Sequence, residues 1–214
     1  MSDKSYPPPG YLAADPWLLV EEITHRVAND YAAAIGSLSR AAARCSGLDV
    51  RTALVGAAAR LRDHADLHRA LLPPAADRAD LSQYLRRLCG AVVRARLAER
   101  AIQLTLVETP IEIDAQHCWR VGLIVSELIA NAARHGFRRR GGGIVVELSA
   151  AEGGVQCVVR DDGSSTAPTP GRGTRITLAL ARELGGRIDW HFGPGGTTAV
   201  LYFPLGERAC KLAA

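Results

Sequence analysis

Two long amphipathic segments at the start of the chain limit the folds open to its first third. From Trp17 to about Cys45, apolar residues recur at alternating steps of three and four, as on a bundle helix; they are Val20, Ile23, Val27, Tyr31, Ala34, Ile35, Leu38 and Ala42. Ser46-Gly47 interrupts this pattern, and a second helix is predicted from about Val50 to Leu72, before Pro73-Pro74. Because two helices cannot enclose a core alone, the sequence predicts a helical hairpin that forms a four-helix bundle in a homodimer.

Beyond the two prolines the pattern changes to mixed helix and strand. A helix is predicted from about Leu81 to Glu99, and a longer one from the Asp114 cap to His135, closed by Gly136. The predicted strands cover residues 102–107, 111–113, 144–148, 155–160, 188–190 and 197–203, with a further helix ending near Leu184. Helices on one face of a mixed sheet, an α+β sandwich, fit this order best.

These patterns divide the chain into four predicted parts. They are a flexible tail (1–14), a helical hairpin (15–75), an α/β sandwich domain (80–205) and a second tail (206–214). No apolar run approaches the roughly 18 to 20 residues of a membrane span, and the Pro-rich start has no signal-peptide core. We therefore expect a cytoplasmic protein without membrane insertion. No sensory domain is recognised before Trp17 in the sequence, so we expect either that the input signal arrives through a protein partner or that the chain is not a sensor.

Charge and cysteine usage argue against nucleic-acid binding and against a redox function. The net charge is +4 and the densest basic cluster is Arg138-Arg139-Arg140, but aromatic residues do not interleave with it. A solvated helix end explains that cluster better than a nucleic-acid surface. The five cysteines lack CxxC spacing and lie among apolar or helical neighbours, so we expect reduced, mostly buried thiols.

The predicted helix 115–135 carries the first candidate site. Glu127, Asn131 and His135 are spaced by four and share one helical face, beside an apolar face. An amide oxygen at Asn131 suits a hard cation, Glu127 can orient a water near it, and Arg134 or His135 can face phosphate oxygens. By itself this pattern also fits an ordinary amphipathic helix with solvated polar residues.

Carboxylates and glycines further along the chain favour a nucleotide site. Asp161 and Gly163 follow a predicted strand, where a carboxylate can accept a hydrogen bond from an exocyclic amine such as that of adenine. Gly171 and Gly173 open the next helix, whose N–H groups and dipole can receive phosphate. The order is completed by Gly185-Gly186 after that helix and by Gly195-Gly196-Thr197-Thr198 before the last strand, which adds Thr198 to the candidate residues.

In this order the motifs resemble the GHKL ATPase superfamily, the Bergerat-fold ATP-binding domains, and most closely the catalytic domain of sensor histidine kinases. The resemblance covers about residues 80–205. It implies ATP and Mg²⁺ as cofactors, with Glu127 and Asn131 in the N box, Asn131 on Mg²⁺, and Arg134 and His135 near the phosphates. It also implies Asp161 and Gly163 as the first glycine box, and Gly171 and Gly173 as the second.

The first helix narrows the resemblance to one subfamily. Glu22-Ile23-Thr24-His25-Arg26-Val27-Ala28-Asn29 looks like the phosphoacceptor motif of histidine kinases that read His-Arg-Val-x-Asn. His25 also lies off the apolar stripe, on the face that carries Glu21, Glu22 and Asn29, so its imidazole is expected to be exposed. The resemblance implies autophosphorylation of His25 and transfer to an aspartate of a response-regulator receiver domain. Glu22 and Glu21 are the candidates for the general base.

The sequence departs from the family pattern at several positions. Ser165 stands where the first glycine box commonly ends in glycine, and only Ser164 to Pro170 separates the two boxes. Two alternatives to a kinase therefore stay open. One is a histidine phosphotransfer protein with a degenerate ATP-binding domain that relays phosphate between receiver domains. The other is a binding module or anti-sigma regulator that uses the ATPase fold without histidine chemistry.

Overall fold

Two long helices come first in the described part of the chain, as the apolar periodicity predicts. In the computed structural model, which describes residues 16–137, 141–164 and 171–205, α1 spans Pro16–Arg44 and α2 spans Leu48–Ala70. The chain divides into two compact units, one ending at Arg62 and one beginning at Asp63. The predicted tails, 1–14 and 206–214, lie outside the described residues. Within the described ranges, no helix has both the length and the apolar character needed to cross a bilayer.

The apolar residues of the two helices remain largely accessible in the single chain. Ala42 and Ala58 are buried, whereas Ile23 in α1 is 59% exposed. Leu48 and Val55 of α2 are also exposed large hydrophobic residues. The helices of the first unit thus retain apolar surface for further packing.

A small two-stranded sheet lies at the starts of two helices of the second unit, and only its strand near residues 111–113 was predicted from the sequence. Strands β1 (Arg78–Asp80) and β3 (Glu112–Asp114) pair antiparallel, with Ala79 opposite Ile113. Helix α3 (Leu81–Val92) follows β1 directly, and a π-helical turn with a short 3₁₀ turn continues it to Arg100. The helix predicted to Glu99 is therefore present, but its last two turns are not α-helical.

Each strand of this small sheet ends on an aspartate that caps the next helix. Asp80 accepts hydrogen bonds from the backbone N–H groups of Ser82 and Gln83 at the start of α3. Asp114 does the same for Gln116 and His117 at the start of α4 (Ala115–Asn131). The β1–β3 pair thus holds the N-termini of the two central helices side by side.

Replacing Asp80 by alanine is expected to lower the free energy of unfolding by about 1 kcal/mol, because two N–H groups lose their acceptor. Although desolvation opposes ionisation, the hydrogen bonds from Ser82 and Gln83 hold the pKa of Asp80 below its ordinary value of 3.8. This contribution is present above the ordinary pKa and is lost as the pH falls through the lowered one. Denaturant unfolding at neutral and acidic pH checks both points, and Asp80→Asn, which keeps the cap oxygen, is the control.

Five strands form the main sheet. They are β2 (Ile102–Glu108), β4 (Gly142–Ala151), β5 (Gly154–Asp161), β6 (Arg187–Gly193) and β7 (Gly196–Pro204). Their spatial order is β2-β4-β5-β7-β6, with β2 and β4 parallel and the other pairs antiparallel. Helix α5 (Arg172–Glu183) connects β5 to β6, and Gly185, at a φ of 67°, ends it. The mixed sheet that the sequence predicts is confirmed.

One face of this sheet shares a single core with helices α3, α4 and α5. Alternate residues of the central strands are buried on this face, and in α4 the predicted apolar side is buried with them; examples are Val146, Leu148, Cys157, Val159, Leu201, Val121, Ile124 and Val125. The opposite face carries half-buried residues such as Glu147, Gln156 and Tyr202. Helices on one face of a mixed sheet make this an α+β sandwich.

The buried thiols are expected to be unreactive in the folded protein. Burial raises the pKa of Cys89, Cys118 and Cys157 to about 12, whereas Cys45 is half-buried. Iodoacetamide at pH 8 should therefore alkylate these three at least roughly a hundredfold more slowly than Cys45. Peptide mass spectrometry with and without denaturant measures the rates, and equal labelling of all four in the native protein would contradict this packing.

Candidate functional site

A cavity of about 650 Å³ lies in the second unit, between the end of α4, the start of α5 and the sheet. Strands β5, β6 and β7 contribute its floor. Seven of the residues singled out from the sequence line it together: Glu127, Asn131, Arg134, His135, Asp161, Gly171 and Gly173. Residues separated by nearly fifty positions in the chain therefore surround one space, whose volume is that of a small-molecule site.

The end of α4 differs from the regular helix that the sequence predicts. Residues Ala132–Gly136 form a π-helical turn, a feature often found at functional sites. Gly136 does not adopt the left-handed conformation of a helix-ending glycine. It instead permits close packing, because a side chain on either Gly136 or Gly163 would meet the other segment, and the Ser164 N–H donates to the Gly136 carbonyl at 3.0 Å.

Arg134 connects the polar groups of the α4 face. Its Nη2 donates to Glu127 Oε1 and to Asn131 Oδ1, both at 2.9 Å, and its Nε donates to the Ala130 carbonyl at 3.2 Å. The side chains of Arg134 and Glu127 are 54% and 29% exposed. An ion pair this accessible contributes about 0–1 kcal/mol, so a ligand of higher charge can displace it at little cost.

Asp161 is buried at the end of β5, 5% exposed, and three glycines surround it. Its Oδ1 accepts from the Gly163 N–H at 3.0 Å. A Cβ on Gly136 would lie 3.0 Å from this oxygen, and a Cβ on Gly196 would lie 3.1 Å from it and collide with the Asp161 carbonyl. Gly196 also has a φ of 112°, which favours glycine. The carboxylate is thus fixed in a cradle that only glycines allow.

The start of α5 forms the opposite wall. Gly171 is its N-cap and, as a glycine, offers no side chain to the N–H groups of the first turn, which carry the positive end of the helix dipole. A side chain on Gly173 would overlap the Glu127 carboxylate. Gly173 therefore leaves the Glu127 carboxylate in its place at the cavity, since a side chain at this position would force it to move.

The register of the sheet places Thr197, rather than the candidate Thr198, at the cavity. Thr198 lies opposite Arg160 and His191, and its side chain belongs to the other face of β7. Thr197 and Ala199 line the cavity instead. The candidate Gly163 does not line the cavity either; its N–H donates to Asp161 Oδ1. Only the pairing of β7 with its neighbours sets this alternation, which the Gly-Gly-Thr-Thr sequence leaves open.

The aromatic side of the cavity was not predicted from the sequence. Trp190 and Phe192, both on β6, line it. The signal that could have found them is the alternation Ile188, Trp190, Phe192, which puts three large apolar residues on one strand face. The predicted strand ended at Trp190, so Phe192 was left outside it.

The first unit carries the second candidate feature. His25 is exposed on α1, as predicted. One turn earlier, Glu22 accepts a hydrogen bond from Arg26 Nε at 2.7 Å, and both side chains of this pair are exposed. The candidate base Glu22 is thus close in sequence to His25 but paired with Arg26, whereas the side chain of Glu21 lies outside the described residues.

Three sequence features fall outside the described residues. They are Ser165, most of the segment between the two glycine boxes, and the cluster Arg138-Arg139-Arg140.

A mixed sheet with its helices on one face, and a cavity between that sheet and the helix ends, place the second unit among the one-sided α+β sandwich domains. Residues 76–202 match the family model described as histidine kinase-like ATPase domain, and residues 22–96 match one described as histidine kinase. The chain therefore belongs to the histidine kinase-like ATPase domain family. This confirms the resemblance drawn from the sequence, including the subfamily, and the family implies ATP as the nucleotide.

Related proteins are sensor kinases longer than this chain. The sensor histidine kinase PdtaS of Mycolicibacterium smegmatis is 27% identical over 200 residues, which cover 89% of this chain and 40% of that protein. The blue-light-activated histidine kinase 2 of Erythrobacter litoralis is 27% identical over 205 residues, covering 90% and 58%. The chain thus spans about half of the length of these relatives.

Solved structures agree on the fold. The histidine kinase domain of a blue-light-activated histidine kinase from Erythrobacter litoralis superimposes with a TM-score of 0.57 at 21% identity, covering 83% of this chain and 96% of that one. A structure described as a bacterial phosphotransferase gives a TM-score of 0.59 at 16% identity, covering 92% and 100%. Two N-terminal helices followed by a mixed five-stranded sheet with helices is therefore a known arrangement for histidine kinase domains.

Proposed function

We propose that the chain is the kinase portion of a two-component system: it binds ATP with Mg²⁺ in the cavity, transfers the γ-phosphoryl group to His25, and passes it to an aspartate of a response-regulator receiver domain. The observation that carries this proposal is the convergence of Glu127, Asn131, Asp161 and the glycine-rich start of α5 on one cavity. The family match over both segments, 22–96 and 76–202, supports it.

Each side of the cavity suits one part of Mg-ATP. The buried Asp161 carboxylate, with Thr197 beside it, accepts a hydrogen bond from the adenine amine. The first turn of α5, together with Arg134 and His135, receives the phosphates. The amide oxygen of Asn131 and the carboxylate of Glu127 are hard oxygen donors, which fit Mg²⁺ directly or through water.

Arg134 changes partners when nucleotide binds. Its guanidinium engages Asn131 Oδ1 and Glu127 Oε1, the oxygen atoms proposed for the metal. A triphosphate carries several negative charges, whereas Glu127 carries one, so the phosphate oxygens attract the guanidinium more strongly than the exposed ion pair does. Arg134 therefore moves to phosphate and frees both oxygens. Mg²⁺, when bound, neutralises the charge that develops on the transferred group.

His25 is the proposed phosphoacceptor. An imidazole nitrogen attacks the γ-phosphorus, the bond from phosphorus to the β,γ-bridging oxygen breaks, and ADP leaves with that electron pair. The imidazole proton passes to a base, for which Glu22 is our candidate, since it lies one turn away and its exposed ion pair with Arg26 is weak.

The helical hairpin is proposed to work as a homodimer. The exposed apolar residues Ile23, Leu48 and Val55 need a partner surface, and a second hairpin completes a four-helix bundle. In this scheme residues 15–75 form the dimerisation and phosphotransfer domain, and residues 80–205 the ATP-binding catalytic domain. In this scheme the input signal comes from a separate sensor protein.

The proposal is tested by incubating the purified protein with ATP labelled at the γ-phosphate, with parallel samples carrying α-label or EDTA. We expect γ-label only, dependent on Mg²⁺, stable in alkali and labile in acid, as for a phosphohistidine. A purified receiver domain added afterwards should remove the label from the protein and acquire it. Absence of label under conditions where ATP is bound would rule out the kinase.

A second candidate is a histidine phosphotransfer protein without ATP binding. Ser165 in place of the usual glycine favours it. It predicts no label from ATP and no nucleotide affinity, but transfer to His25 from a receiver domain charged with a small phosphodonor. The same assay with the charged receiver as phosphate source separates the two.

A further inference from the structure

The aromatic pair on β6 has no part in the functions assigned above. Trp190 is half-buried and packs against the core, whereas Phe192 is 41% exposed, and both side chains line the cavity. Strand β6 is one of the two edge strands of the sheet order β2-β4-β5-β7-β6, so the two aromatic residues lie at the sheet edge of the cavity floor. The exposed part of Phe192 is apolar surface at the cavity wall that a bound ligand can cover.

Cross-strand pairing fixes how this aromatic face relates to Asp161. Trp190 lies opposite Ala199, which lies opposite Val159, so these three form one row across the cavity floor. Phe192 lies opposite Thr197 in the next row, at the level of the strand end where β5 places Asp161. The cavity floor therefore carries aromatic side chains at the sheet edge, a small side chain at Ala199 and the Asp161 carboxylate on β5.

We infer that Trp190 and Phe192 form a base-stacking face, which selects a purine by the area of its ring system while Asp161 reads its exocyclic amine. This inference rests on the proposed nucleotide site and specifies what that site recognises. Stacking on an aromatic side chain accepts any base but gains with the size of the stacked ring, so a bicyclic purine gains more than a pyrimidine. The hydrogen bond to Asp161 responds to the exocyclic group alone.

The two contributions can be separated with three nucleotides. ATP and CTP both carry an exocyclic amine but differ in ring size, whereas ATP and ITP share the purine ring and differ in that amine. Dissociation constants of the Mg²⁺ complexes are measured by calorimetry for the full chain and for Trp190→Leu, Phe192→Leu and Asp161→Asn. His191→Ala, an exposed residue on the other face of β6, is the matched control.

Trp190→Leu is expected to weaken ATP binding roughly five- to a hundredfold and to reduce the ATP-to-CTP preference, with the ATP-to-ITP preference unchanged. Phe192→Leu should act in the same direction with a smaller effect. Asp161→Asn should give the opposite pattern: the ATP-to-ITP preference should be lost, and the ATP-to-CTP preference, which depends on ring size, should remain. The His191→Ala variant should match the wild type.

Unchanged affinities and preferences in Trp190→Leu and Phe192→Leu, with ATP bound normally, would overturn the stacking face and leave the proposed function standing. Absence of nucleotide binding to the wild type would instead remove the proposed function itself. A second measurement covers a variant that fails to fold. In a chain whose other tryptophans, Trp17 and Trp119, are replaced by phenylalanine, ATP should quench the fluorescence of Trp190, and unchanged fluorescence at saturating ATP would contradict the stacking.

Discussion

Replacing His25 by alanine is expected to abolish phosphorylation of the chain while leaving its affinity for Mg-ATP unchanged. The imidazole is the proposed nucleophile, and alanine at this position offers no nitrogen to the γ-phosphorus. His25 is exposed on α1 in the first unit, whereas the nucleotide cavity lies in the second, so its removal leaves the walls of the cavity intact. Labelling with γ-labelled ATP, beside calorimetry of Mg-ATP binding, measures both quantities.

The matched control for this variant is His64→Ala. His64 is also an exposed histidine on a long helix, α2, but it is not part of the His-Arg-Val-x-Asn motif. The His64→Ala variant should be phosphorylated to the same extent as the wild type, with His25 as the acceptor. Label that persists in His25→Ala and disappears in His64→Ala would move the phosphoacceptor to the second helix.

Asn131→Ala is expected to have the second large effect, a loss of the Mg²⁺-dependent part of nucleotide binding. The amide oxygen is the proposed ligand of the metal, and losing an interaction with a charged group costs roughly 1.5 to 3 kcal/mol, or about ten- to a hundredfold in affinity. Binding of ATP in EDTA should change little. Titrations with and without Mg²⁺ therefore separate this role from a general distortion of the cavity.

Two variants control for the contact between Asn131 and Arg134. Asn131→Asp keeps an oxygen at this position and should retain the response to Mg²⁺. Arg134→Ala removes the other side of the hydrogen bond, so it should weaken binding of ATP with and without Mg²⁺ alike. If Arg134→Ala instead removed only the Mg²⁺ response, Asn131 would act through Arg134 and not through the metal.

Much of the fold follows from local patterns in the sequence. The three-and-four spacing predicts α1 and α2, Asp80 and Asp114 mark the starts of α3 and α4, and period-two alternation marks the central strands. These features depend on residues close together in the chain, which is why they could be predicted. The α+β class and the family follow from their order and are confirmed.

The features that the sequence did not predict depend on contacts between distant segments. Strand β1 has only three residues, and its pairing with β3 gives no periodic signal of its own. Gly136 resembles a helix-ending glycine in sequence, but its role follows from the approach of Gly163. Likewise, only the register of β7 with its neighbours places Thr197 at the cavity in preference to Thr198.

In the candidate site, too, local features could be predicted from the sequence and long-range contacts could not. Glu127, Asn131 and Arg134 lie within two turns of one helix, so their common face could be predicted from spacing. Asp161 and Gly173 were linked to them through the order of motifs in a known family. Trp190 and Phe192 belong to no such motif, and only the sheet pairing places them on the same cavity as Asp161.

The most direct test of the two-part kinase is to locate the phosphate. The wild-type chain is incubated with Mg-ATP, digested under alkaline conditions that preserve phosphohistidine, and sequenced by mass spectrometry. We predict one phosphorylated peptide, ending at Arg26, with the phosphate on His25, and no such peptide from Asn131→Ala. Phosphate on any other residue, or an unmodified His25 in a protein that binds Mg-ATP, would contradict the account.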